Sequence, residues 1–187
     1  AALAAGVAAE GVSPVGAGVV PTPAVAHASR TGNVPGAGVS ASHKPFSDNG
    51  VKFFASGGAK LDDDTEARLE AELEAELEVA SRTDEDSPAH SGGLGVAGTA
   101  LVAWEASVIA SLEGRRLDGL HVVVDCANGA ASAVAPEVLA RLGATVTVLH
   151  AEPDGTNINA GCGSTHLGDL QREVPARGAA LGLAFDG

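Results

Sequence analysis

At 187 residues, with 45% hydrophobic content and 25 glycines, the chain is long enough to bury a core and too apolar for a disordered segment. Aromatic residues are only 3%, so that core must be built from Ala, Val and Leu. The formal charge of −13 argues against nucleic acid or an anionic membrane as a partner. Most of it is local: residues 62–86 hold twelve acids against two arginines.

Residues 2–9 read as a helix, followed by a strand near 15–20 that breaks at Pro21-Thr22-Pro23. Proline is tolerated in the first turn of a helix, so residues 23–30 read as a short helix, and residues 38–41 as the next strand. Strand, helix, strand implies parallel pairing with a right-handed crossover. Ser42 then falls at a strand's carboxyl end, where open α/β sheets place their ligand sites. Residues 51–55 form a further strand after the Asn49-Gly50 turn, ended by Gly57-Gly58.

Residues 63–80 are expected to be helical, with Asp63 and Glu66 at capping-box spacing and acids crowding the positive end of the helix dipole. Leu69, Leu73 and Leu77 recur every four residues and predict a packed stripe, with the glutamates on a solvated face. Residues 87–98 read as a Gly/Ser/Pro-rich connector. A helix with Leu101, Trp104, Val108 and Leu112 on one face follows.

A domain boundary is expected near Leu117, dividing the chain into residues 1–116 and 117–187. The second part reads as strand 121–126, helix 131–142, strand 145–149, polar loop 152–165, helix 167–177 and strand 180–185. The fold class is therefore α/β: two consecutive, incomplete, mostly parallel sheet units with flanking helices.

Cys126 and Cys162 lie far apart without metal-ligand spacing and read as free, mostly buried thiols in a reducing compartment. No apolar run approaches bilayer length, and no signal peptide is visible. The chain has no Met and stops at Asp186-Gly187 just after an apolar strand. The expectation is an interior piece of a longer cytoplasmic protein.

The stretch "AGVSASHKPFSDNGVKFF" carries the chemistry. Ser42 beside His43 suggests a nucleophile. A serine hydrolase lacks support, because there is no G-x-S-x-G elbow and adjacent residues rarely let one take the other's proton. Phosphoryl transfer is the second reading. It needs cations around the phosphate and a carboxylate-held metal. Two of the chain's three lysines, Lys44 and Lys52, lie within ten residues of Ser42. Asp186 ends an apolar strand, a common place for a metal ligand. Alone, each residue has a plainer reading: a loop hydroxyl, a loop histidine, a surface lysine and an Asp-Gly turn.

"SASHKPFSDNGVKFF" resembles the active-serine loop of the α-D-phosphohexomutases, and "LGLAFDG" the start of their metal loop. "VVVDCANGAAS" and "EPDGTNINAGCGSTH" are similar to the bacterial phosphoglucosamine mutase branch of that family. The resemblance implies that Ser42 carries the transferable phosphoryl group, with His43 beside it. It implies that Lys52 assists proton transfer and charge stabilisation, and that Asp186 and the phosphate on Ser42 bind Mg2+. The implied substrate is a phosphosugar, glucosamine phosphate, isomerised through a 1,6-bisphosphate in the cytoplasm for UDP-N-acetylglucosamine and peptidoglycan synthesis. Neither nucleic acid nor membrane is implied, and a homodimer is left open. Glucose or mannose phosphate mutase activity, or a catalytically dead binding or structural fragment, are the alternatives. Lys44 stands where the family usually has Asn, and only one of the three metal aspartates is present.

Overall fold

The computed structural model describes residues 2–80 and 98–187. The 87–98 connector lies almost wholly outside them. The described chain is α/β, as expected.

The second unit is a three-stranded parallel sheet of β3 (His121–Asp125), β4 (Thr145–Leu149) and β5 (Leu181–Ala184), in the order β4-β3-β5. Val122, Val123 and Val124 read as an uninterrupted apolar run because β3 is central, and all three are buried. Each such valine contributes about 1.5–3 kcal/mol when fully buried. One face packs Val122, Val124 and Cys126 with Ala131, Ala135 and Ala144. A neighbouring cluster of Val134, Val138 and Leu142 is covered by Leu101, Trp104, Val108 and Leu112, the face expected to pack. Leu101, Trp104 and Val108 lie on α4 (Thr99–Ala110), which also contacts α2 (Thr22–Gly32) of the first unit. Helix α6 (Gly168–Ala176) packs on β3 and β5. No described helix is long and apolar enough to cross a membrane.

The expected helix over 131–142 is divided. A 3-10 turn spans Ala130–Ala133 and α5 spans Ala135–Arg141. Pro136 explains the break, since its ring suits the first turn of a helix and not its interior.

In the first unit, α1 (Ala2–Ala9) and α2 fall where expected. The strand expected near 15–20 does not form; only an isolated bridge occurs at Gly16. Pro14, Gly16 and Gly18 (φ 77°) interrupt it, and Val15 and Val19 are largely exposed. The expected parallel pair with residues 38–41 is therefore not present among the described residues. Instead β1 (Gly36–Ser40) pairs antiparallel with β2 (Gly50–Phe54), Gly38 opposite Lys52. Gly36 admits α2 against β1, because a Cβ there would sit only 3.2 Å from Val25 and closer still to Ser29.

Helix α3 (Asp63–Ala80) forms as expected, but its cap is Asp62 and not Asp63. The Thr65 N–H donates to Asp62 Oδ1 at 2.8 Å, and Glu66 turns away to Lys60, also at 2.8 Å. The leucine stripe does not pack: Leu69 and Leu73 are exposed, and the Leu77 side chain lies outside the described residues.

Candidate active site

The carboxyl end of β3 is built around Asp125, which is fully buried. Its Oδ1 accepts the Ala127 N–H and its Oδ2 the Gly163 N–H, each at 2.9 Å. A buried carboxylate is tolerable only when its oxygens are satisfied in this way. The bond to Gly163 ties the loop between β4 and α6 to the end of the central strand. Gly163 has φ 76°, and a Cβ there would lie 2.6 Å from the Ala127 Cβ. Only glycine fits that approach. The loop is held further by the Ser164 N–H donating to the Phe185 carbonyl, and by the Asn159 N–H donating to the Ala127 carbonyl.

On this platform rests the loop between β1 and β2. Ser42 adopts a left-handed conformation (φ 52°), uncommon for a non-glycine residue and often found at functional sites. Its N–H donates to Ser40 Oγ at 3.0 Å. Its Oγ donates to Asp186 Oδ2 at 2.8 Å, joining residues 144 apart in sequence. The buried Asn159 donates through Nδ2 to the carbonyls of Ser42 (2.6 Å) and Lys44 (2.8 Å).

Of the four residues expected at the site, the structure thus joins Ser42 and Asp186 directly. His43 follows Ser42 in the chain and is exposed. Lys52 is half-buried on β2. Among the described residues, no hydrogen bond or ion pair links either side chain to Ser42. Asp125 and Asn159 were not expected at the site. The available signal for Asn159 was the Asn-rich run "TNINAG", since Asn tolerates left-handed backbone and Asn159 has φ 58°.

Two sets of atoms could hold a metal. Ser42 Oγ and the exposed Asp186 carboxylate are hard oxygen donors, the kind that suits a hard divalent cation. The second set is Asp125, His150 and Cys162. His150 Nδ1 lies 3.2 Å from Asp125 Oδ1 without the alignment of a hydrogen bond, and its Nε2 lies 3.1 Å from Asp169 Oδ2. This set fits a metal poorly. Both Asp125 oxygens already accept backbone N–H groups, and burial, then the charges of Asp125 and Asp169, push the Cys162 thiol up, away from the thiolate a metal needs. Burial, then Asp125, likewise pushes Cys126 up to about 11. Both cysteines are free and buried, as expected.

Residues 1–80 match the family model described as phosphoglucomutase/phosphomannomutase, alpha/beta/alpha domain I, and residues 103–187 match domain II of the same family. The chain is 50% identical, along its whole length, to a phosphoglucosamine mutase of Kineococcus radiotolerans and to one of Desulforudis audaxviator. It covers 42% and 41% of those proteins, so it spans about two fifths of the curated relatives it matches. Among solved structures it resembles a phosphoglucomutase/phosphomannomutase family protein from Burkholderia thailandensis, with TM-score 0.72, 29% identity, and coverage of 100% of this chain and 40% of that one. It shares its fold with the Aspergillus fumigatus N-acetylphosphoglucosamine mutase solved with GlcNAc-6P and magnesium (TM-score 0.51, 17% identity, coverage 89% and 44%).

Proposed function

The chain belongs to the phosphoglucomutase/phosphomannomutase family, and we propose that the full-length protein is a phosphoglucosamine mutase, interconverting glucosamine 6-phosphate and glucosamine 1-phosphate in the cytoplasm. Identity of 50% to phosphoglucosamine mutases supports that branch. The observation that carries the chemistry is the 2.8 Å hydrogen bond from Ser42 Oγ to Asp186 Oδ2, which brings a nucleophilic hydroxyl and a metal-competent carboxylate together. In this reading residues 1–116 and 117–187 are the parts of two domains that meet at the site.

Ser42 works as its phosphate ester. The ester's O–P bond breaks and Ser42 Oγ takes up a proton, as the C1 hydroxyl oxygen of glucosamine 6-phosphate forms a new O–P bond and gives up its proton with the assistance of Lys52. The 1,6-bisphosphate so formed turns around, its O6–P bond breaks as Ser42 Oγ forms a new O–P bond, the serine proton is lost as O6 gains one, and glucosamine 1-phosphate leaves. A phosphoserine carries about −1.5 to −2 charge at neutral pH, which in this reading the Lys52 ammonium helps to offset. Ser42 Oγ, already directed at Asp186, needs little reorientation to receive the returning group. Magnesium held by Asp186 and the phosphate on Ser42 would draw charge from the transferring phosphoryl group.

The test is turnover of the full-length protein on glucosamine 6-phosphate, glucose 1-phosphate and mannose 1-phosphate. The highest kcat/KM is expected for glucosamine phosphate. Preference for glucose or mannose phosphate moves the assignment to the activities in the family's own description. Absence of turnover on all three supports a binding or structural role.

A further inference from the structure

We infer that Asn159 is a positioning residue that clamps the Ser42 loop to the end of β5, fixing where the transferring oxygen sits. The inference rests on the reading of Ser42 as the phosphoryl carrier. Three contacts of one side chain carry it. Nδ2 spends both its hydrogens on the first unit, donating to the Ser42 carbonyl at 2.6 Å and the Lys44 carbonyl at 2.8 Å. Oδ1 accepts the Gly187 N–H at 3.1 Å, one residue beyond Asp186. The amide group therefore spans the segments that supply the hydroxyl and the carboxylate.

The fit is close. A Cβ on Gly187 would lie 2.5 Å from Asn159 Oδ1. The clamp is itself anchored: Asn159 is only 8% exposed, and its N–H donates to the carbonyl of Ala127, whose own N–H is held by Asp125. Asparagine suits every demand at this position. It adopts φ 58° at little cost, offers two donors for two carbonyls, and presents an acceptor on its other side. An aspartate of the same shape would face the two carbonyl oxygens with no hydrogen to give. Ser42 is itself left-handed, a conformation that persists only when its surroundings hold it. Asn159 is the side chain that grips its carbonyl.

The two variants are Asn159→Gly and Asn159→Asp in the full-length protein. Glycine accepts the backbone angle, so its effect reports loss of the side chain and not strain. Aspartate keeps the shape and the acceptor but loses both donors. Each variant is expected to remain folded, to lose about 10- to 100-fold in kcat, the scale found when groups that orient metal-site ligands are removed, and to keep KM within about twofold. Amide hydrogen exchange at residues 42–44 should quicken in both while exchange along β3 is unchanged. A merely structural role would lower activity only through the folded fraction and leave kcat per folded molecule intact. Retention of kcat within about twofold by either variant overturns the clamp, as does failure of both to fold. Ser42→Ala separates the two readings. If it retains turnover, the phosphoryl-carrier reading fails; if it is inactive while the Asn159 variants are not, only the clamp fails.

Discussion

Replacing Asp125 by Asn tests how the site is built, because the change conserves shape and alters only hydrogen-bonding capacity. The native carboxylate accepts the Ala127 and Gly163 N–H groups, one on each oxygen, at 2.9 Å. An amide in either orientation turns an NH2 group toward one of those donors. One buried N–H then loses its acceptor, at about 1–3 kcal/mol, and the other exchanges a charged acceptor for a neutral one, at roughly 1 kcal/mol more. The local loss is about 2–4 kcal/mol. A chain of several domains does not unfold in one step, so the assay is native-state hydrogen exchange on the full-length protein and not a single melting curve. The Gly163 and Ala127 amides should exchange roughly 30- to 1,000-fold faster, since each 1.4 kcal/mol is tenfold. The Ala24 amide, bonded to the Pro21 carbonyl in the other unit, should be unaffected. A change below about threefold at both Gly163 and Ala127 would refute the claim that Asp125 organises this loop.

Lys52→Ala in the full-length protein should lower turnover by about 100-fold or more, as befits a cation stabilising a developing charge, and shift stability by no more than about 0.5 kcal/mol; near-normal turnover would reduce Lys52 to an ordinary strand lysine. Cys126 gives a pH signature: its thiol ordinarily titrates near 9 and is pushed up to about 11 in the fold. The folded state therefore keeps a proton that the unfolded chain releases, so stability is full below pH 9 and falls as pH rises from 9 to 11, by about 2 kcal/mol. Cys126→Ala should reduce that slope in the denaturant transition that unfolds the 117–187 unit, leaving what the raised Cys162 thiol contributes, and an unchanged slope would contradict the assignment.

The second unit was legible in the sequence because its signals are local. An apolar run marked β3 as a strand, and Trp104 with its neighbours marked the inner face of α4. The first unit was harder. Val15 and Val19 suggested a strand, but glycines and prolines set the backbone there, and both side chains are exposed. Capping-box spacing pointed to Asp63, and only the position of the Thr65 N–H selects Asp62. At the site, Ser42 and Asp186 were found through motifs, whereas their hydrogen bond is a product of the fold. Asp125 was hidden as the last letter of an apolar strand, its second partner 38 residues away. Asn159 was hidden because the carbonyls it grips lie more than a hundred residues earlier and leave no mark on the sequence around it.

The most direct test of the account is to locate the phosphate. Intact mass and peptide mapping of the full-length protein, purified in its active form, should find a single phosphate on Ser42, and Ser42→Ala should abolish both that phosphate and mutase turnover. Phosphate found only on Ser40 or Ser47, or full turnover by the Ser42→Ala protein, would contradict it.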